Sequence, residues 1–150
     1  MKIARVAAYS VNPRLTLDIL PKKLETAQGF TLVEIETDTG LTGVGITGIT
    51  DTNVVQRVVE RVGPGLTGMD PMMIEQIWDK LYWQLSPRGQ TGIAQHAMAA
   101  IDIALWDIKG KALNAPVWQL LGGARSKVPL YVTFGFHFYD RSEEHTSELQ

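Results

Sequence analysis

The chain has 150 residues, 45% of them apolar and 20% charged, which is enough for one domain with a true core. Its formal net charge is −2, and the excess lies in the tail, where Arg141 faces Glu143, Glu144 and Glu148; the first 140 residues are balanced and offer no basic field to nucleic acid or anionic lipid. Cysteine is absent, excluding disulfides, thiolate metal sites and cysteine nucleophiles, and with no run of membrane-spanning length and no leader in "MKIARVAAYS" a cytoplasmic protein is expected.

Lys2–Val11 alternates loosely through Ile3, Val6 and Ala8 and predicts a first strand. Asn12–Gly29, broken by Pro13, Pro21 and Gly29, predicts a long irregular connection of the kind used as a lid or binding loop. "GFTLVEIETDTGLTGVGIT" predicts a hairpin, with Thr31, Val33 and Ile35 on one face, a turn at Asp38-Thr39-Gly40 and a glycine-rich return strand. Helices follow. Asp51 or Thr52 caps "NVVQRVVERV", which stops at Gly63-Pro64. Asp70-Pro71 predicts an N-cap and first-turn proline, followed by the stripe Ile74, Ile77, Trp78, Leu81, Tyr82 and Leu85. A third helix is predicted from about Thr91 to Leu113, with Ile93, Ala97, Ile101, Ala104, Leu105, Ile108 and Ala112 inward and its alanines permitting close approach. "NAPVWQLLGG" predicts a short helix from Pro116 that Gly122 stops. Last, "KVPLYVTFGFHFY" places Val128, Leu130, Val132, Phe134, Phe136 and Phe138 at period two, a strand with one deeply buried face and no partner in the sequence. The order is that of an α+β fold.

Few residues announce chemistry. "GVGITG", Gly43–Gly48, matches the dinucleotide-binding glycine pattern, but it lies in the return strand of a hairpin, and Asp70 lies on a link between helices rather than ending a second strand. Close packing of an edge strand explains it. His96, His137 and His145 have no partner at metal-ligand spacing; His96 reads as a packed or surface histidine, and His137 lies opposite the phenylalanines. Asp102 and Asp107 point to different faces of the third helix and so form no acid pair; with Lys109 and Lys111 nearby, ion pairing and capping of a neighbouring loop are expected. From the side chains alone, no active site is legible.

A resemblance adds what the side chains do not. "AIDIALWDIKGKALNAPVWQLLGG", Ala100–Gly123, with "ARSKVPLYVT" after it, resembles the mandelate racemase and muconate-lactonising branch of the enolase superfamily. "GFTLVEIETDTGLTGVGI" is similar to that family's capping-domain hairpin and "GMDPMMIEQIWDKLY" to its capping helices, so the likeness covers Met1 to about Tyr139. It implies a capping domain over residues 1–126, the first strand of a (β/α) barrel over 127–140, and a truncation. Residues 141–150 back-translate in frame into a common sequencing adapter and are expected to be an artefact.

The resemblance also implies an activity. The parent enzyme is expected to abstract the proton alpha to a carboxylate, with Mg²⁺ stabilising the enediolate. An acid-sugar dehydratase fits the long first loop; a racemase, epimerase or cycloisomerase stays open, as does a non-catalytic α+β binding module. Base and metal ligands have no counterpart here, so no catalytic or metal residue is carried over, and Lys109 and Lys111 are not the base pair. The fragment is expected to bind no Mg²⁺ and to be inactive and poorly soluble. In relatives, two loops fold over the substrate and correspond to Asn12–Gly29 and about Thr47–Thr50. Arg14 is the candidate clamp for a carboxylate or polyol and Thr133 a second substrate contact. The partner is thus a small carboxylate, with no nucleic acid or membrane, and the parent is expected to be a homo-oligomer.

Overall fold

A computed structural model describes residues 1–19, 22–27, 29–86, 91–125 and 127–130. Its centre is an antiparallel sheet in the order β1 (Ile3–Val11), β4 (Phe30–Thr37), β5 (Thr42–Gly48), with β2 (Arg14–Ile19) and β3 (Lys22–Ala27) forming a separate two-stranded ladder. α1 (Thr52–Val62), a 3₁₀ turn (Gly63–Leu66), α2 (Ile74–Leu85), α3 (Ile93–Ala112) and α4 (Val117–Leu120) follow. Among the described residues no helix is long and apolar enough to cross a membrane.

β4 shows why this sheet buries one face. Thr31, Val33, Ile35 and Thr37 are buried and the residues between them half-buried, the period-two pattern of a strand packed on one side. The loose alternation of β1 has a local cause: pairing shifts between Ile3 and Arg5, so Ile3 and Ala8 both reach the core although their positions differ in parity. Helices cover that face. Val55, Val59 and Val62 of α1, Ile77 and Leu81 of α2, and Ala97, Ala100, Ile101, Ala104, Leu105 and Ile108 of α3 join Ile3, Val33 and Ile35 in one core.

Gly43 and Gly45 of "GVGITG" work by having no side chain. A Cβ on Gly43 would collide with the carbonyl of Ala104, and one on Gly45 with that of Ala100. Backbone therefore meets backbone, alanine helix on glycine strand, with no room for a pyrophosphate at those positions. As the outer strand, β5 exposes an edge, and α3 answers part of it. Asp107 Oδ2 accepts from Val44 N–H at 2.9 Å, while Lys111 Nζ donates to the Thr42 carbonyl at 2.7 Å and pairs with Asp107 at 2.7 Å.

Several expectations need correction. Asn12–Gly29 is not an irregular connection: Arg14 pairs with Ala27 and the ladder runs to Ile19 opposite Lys22. The signal is the alternation of Leu15, Leu17 and Ile19, which the prolines on either side obscure. Asp70 does not cap α2. Its carboxylate accepts from Met72 N–H at 2.9 Å and its carbonyl from Met73 N–H, making a separate turn before the helix starts at Ile74. Trp78 is 40% exposed, stacked on Tyr82 at 5.2 Å at the rim of the core, and Ala112 is exposed, whereas Ala100 and Met98 are the buried residues that the expected stripe omits. Residues 127–130 carry no strand, and Val128 and Leu130 are exposed. The remainder of the expected barrel strand, with Thr133 and His137, and the tail 141–150 lie outside the described residues.

Candidate functional site

Three strand ends meet at one end of the sheet. Val11 lies opposite Phe30, and Phe30 opposite Gly48, so the chain leaves β1, enters β4 and leaves β5 along one row. Two excursions spring from that row: the β2–β3 hairpin, and the link from Ile49 to Asp51 that leads into α1.

Short polar side chains tie the bases of both excursions. The buried Thr31 hydroxyl donates to the Thr52 carbonyl at 3.0 Å, and the hydroxyls of Ser10 and Thr52 are 2.6 Å apart. Gln56 Oε1 accepts from Ser10 N–H at 3.0 Å, and the Asn12 amide donates to Ser10 Oγ at 3.2 Å. Gly29 closes against this cluster so tightly that a Cβ there would strike the Asn12 side chain and touch Thr52. Asp51 then accepts from Asn53 and Val54 N–H, both at 3.1 Å, and so starts α1 at a fixed place. On the other flank Thr47 Oγ1 lies 2.8 Å from His96 Nδ1, joining the end of β5 to the first turn of α3. Among the described residues no buried side-chain nitrogen or oxygen is left without a partner, and this network is the reason Thr31 and Thr52 can be buried.

Above these anchored bases the side chains are open. Arg14, the first residue of β2, is exposed. Ile49 has a left-handed backbone, φ +59°, and is 91% exposed. A β-branched residue in that region costs about 1–2 kcal/mol, and here it displays an apolar side chain to water. The side chain thus adds nothing to the core while its backbone carries strain. The expected second loop is accordingly shorter than Thr47–Thr50, since Thr47 and Gly48 still belong to β5.

The other singled-out residues have structural work. Asp107 and Lys111 hold the edge of β5, and Lys109 lies 4.9 Å from the centre of the Trp106 ring. Burial raises the Asp102 carboxyl pKa above the ordinary aspartate range, and the nearby Glu75 carboxylate adds to the rise. Among the described residues no group of three or more acids, histidines or cysteines is placed to hold a metal. The sequence gives Thr31 as a strand residue, Thr52 as a possible cap and Asn12 and Thr47 only as loop bounds, and it singles out neither Ser10 and Gln56 nor the strained Ile49. Their available signal is the clustering of small polar residues beside Gly29 and Gly48.

Comparison with known proteins agrees with this arrangement. The mandelate racemase / muconate lactonizing enzyme N-terminal domain matches residues 7–122. A D-galactonate dehydratase from Klebsiella pneumoniae (strain 342) is 40% identical over 139 residues, 90% of this chain and 32% of the relative; the chain spans about a third of the length of the curated relatives it matches. A mandelate racemase/muconate lactonizing enzyme from Polaromonas sp. JS666 superposes with a TM-score of 0.78 at 30% identity, over 98% of this chain and 40% of that one. A racemase from Streptomyces coelicolor A3(2) with bound magnesium gives 0.72 at 33% identity, over 86% and 38%. A three-stranded antiparallel sheet with helices on one face, matched over more than half of its length, identifies the chain as a member of the mandelate racemase and muconate lactonizing enzyme family of the enolase superfamily, with the α+β fold of its N-terminal capping domain.

Proposed function

We propose that this chain is the capping part of a longer Mg²⁺-dependent enzyme that abstracts the proton alpha to a carboxylate, and that its reaction is dehydration of an acid sugar. The observation that carries the reading is the pair of excursions at one end of the sheet, rigid at their bases and presenting an exposed arginine and an exposed, strained isoleucine. Arg14 supplies two-pronged recognition of a carboxylate or polyol oxygen. Ile49 supplies an apolar wall that shuts out water. The dehydratase among the relatives supports the reaction type, and the magnesium in the Streptomyces racemase supports the metal.

The described residues do not fit Mg²⁺, which requires hard oxygen ligands converging on one point. No step is therefore assigned to the metal on this chain, and the chain by itself is proposed to bind no Mg²⁺ and to turn nothing over. Thr133 stays a second proposed substrate contact, and a cytoplasmic homo-oligomer the proposed state of the parent. Racemisation or cycloisomerisation is the second reading, favoured by relatives of those names.

The test uses the gene extended with its native downstream sequence, read from the source nucleic acid, and a panel of acid sugars with Mg²⁺. Dehydration releases water and yields a keto acid; racemisation exchanges the alpha hydrogen with solvent deuterium and retains the water. Arg14→Ala is expected to lower kcat/KM about 10- to 100-fold, with Arg14→Lys recovering little of it because a single ammonium cannot form the two-pronged contact. Turnover that ignores both substitutions removes Arg14 from the site, and an extended protein inert toward every acid leaves the binding-module reading.

A further inference from the structure

Ile49 holds a conformation that its own packing cannot sustain. Its left-handed backbone is strained, and the exposed side chain gains nothing that would offset the strain. Such a backbone persists where the residues on either side are fixed. Before Ile49, Gly48 is paired with Phe30, and Thr47 Oγ1 lies 2.8 Å from His96 Nδ1. After it, Thr52 is held twice: its carbonyl accepts from the Thr31 hydroxyl at 3.0 Å, and its own hydroxyl lies 2.6 Å from Ser10 Oγ. Ile49, Thr50 and Asp51 alone span the gap between β5 and α1. A shift of Thr52 must therefore be taken up in the link that carries Ile49.

The same hydroxyl reaches the hairpin. Ser10 Oγ accepts from the Asn12 amide at 3.2 Å, and Asn12 stands two residues before Arg14. Gly29, the other foot of the hairpin, closes on the Asn12 side chain. Thr52, Ser10 and Asn12 are thus a hydrogen-bonded chain from the link to the hairpin. Gln56 steadies its middle, accepting from Ser10 N–H at 3.0 Å while donating to Glu60 at 2.8 Å. Burial does not require these groups. Further along, α1 meets the core through Val55, Val59 and Val62, and alanine at position 10 with valine at position 52 would fill this contact at little cost, because a buried hydrogen bond adds little over an apolar pair of the same shape. What the hydroxyls add is direction: one geometry in which both excursions are set from a single point.

We propose that Thr52 is a positioning residue for both excursions: through Ser10 and Asn12 it sets Arg14 and Ile49 as one unit toward the same small carboxylate. The inference rests on the reading of the two excursions as the substrate-facing edge. Amide hydrogen exchange in the natively extended protein, without substrate, tests the coupling. Thr52→Val keeps the shape and removes the hydroxyl. Exchange is expected to quicken about fivefold or more both in β2 and β3 and at Ile49 and Thr50, while Val33 and Ile35 keep their rates. Thr52→Ser keeps the hydroxyl and is expected to stay at the wild-type rates. Asp51→Ala, which acts at the start of α1, is expected to loosen the link and leave the hairpin unchanged. In turnover of an acid sugar, Thr52→Val is expected to raise KM about tenfold with kcat within about twofold, and Thr52→Ser to restore it.

Loosening of one excursion without the other in Thr52→Val overturns the proposal. So do unchanged rates in both, a rise spread evenly over the sheet, or a Thr52→Ser variant that behaves like Thr52→Val. A fall in kcat at unchanged KM overturns it as well. Exchange and turnover are scored separately. A protein inert toward every acid that still loosens in both places keeps the coupled unit and loses the acid-sugar reading; an active one whose excursions loosen independently does the reverse.

Discussion

α1 and α3 cover the same face of one sheet and differ on their other sides. α1 buries Thr52, Val55, Val59 and Val62 and turns Asn53, Arg57 and Arg61 to water, with Glu60 held by Arg57 at 2.8 Å. α3 buries Ala97, Ala100, Ile101, Ala104, Leu105 and Ile108 and turns Ala99 and Ile103 outward, with Trp106 half-buried against the core. Contact with the sheet therefore fixes only half of a helix. The other half differs in kind: on α1 it is charged and polar apart from the exposed Val54, and on α3 it is apolar at Ala99 and Ile103.

The two helices also approach the sheet differently, and that yields the largest expected effect. α3 meets β5 through Gly43 and Gly45 with no side chain between the backbones. Gly45→Val places three carbons into the Ala100 carbonyl and should cost about 3 kcal/mol or more, up to loss of folding. Urea unfolding followed by circular dichroism measures it. A loss below about 1 kcal/mol would show that α3 has room to retreat and that the close approach is incidental.

A smaller pair of changes separates the two sides of α3 itself. Ile101 is fully buried and Ile103 is 46% exposed, two residues further along the same helix. Ile101→Ala should cost about 2–5 kcal/mol by leaving a cavity; Ile103→Ala should stay within about 0.5 kcal/mol in this chain. Equal losses would erase the distinction between a packed and an exposed face.

Much of this is legible in the sequence, for reasons that residues make plain. The hairpin around Gly40 is readable because alternation and a turn glycine at φ +83° agree. The α1 start is readable because Asp51 is a strong cap, and the glycine decoy because its context is wrong for a nucleotide. The β2–β3 ladder is hidden because Pro13, Pro21 and Gly29 are breakers whose usual meaning outweighs a three-residue alternation. The site's anchors are hidden because Ser10, Thr31, Thr52 and Gln56 are up to 46 residues apart and meet only through tertiary packing. Arg14 stands out by residue type, though in a strand rather than in the irregular loop expected, whereas Ile49 leaves no mark in sequence because backbone strain has no letter.

Asp51→Ala sharpens the contrast from the α1 side. Two N–H groups lose their acceptor, at a cost of about 1 kcal/mol. The link from Ile49 to Asp51 should loosen with it, seen as faster amide exchange at Thr50–Asn53. Faster exchange spread evenly over the sheet would mean a general loss of stability rather than release of the link.

The smallest effect has the clearest sign. On α1 the Glu60 carboxyl lies below its ordinary range because Gln56 and then Arg57 hydrogen-bond its charged form; on α3 the Asp102 carboxyl lies above its range through burial and then Glu75. A lowered carboxyl binds fewer protons in the folded state, so its contribution to stability is present above the unfolded pKa and is lost on acidification. A raised one binds more, so stability falls as pH rises through the interval between the unfolded and folded values. Near pH 7, Glu60→Gln should lower the unfolding midpoint, and Asp102→Asn should raise stability by less than about 1 kcal/mol, the group being partly open to water. Both differences should shrink on acidification, that of Asp102→Asn once pH falls below the ordinary aspartate range and that of Glu60→Gln only as pH falls through its lowered folded value. If Asp102→Asn destabilises the chain at neutral pH, a cation sits beside Asp102 and outweighs both its burial and the Glu75 carboxylate.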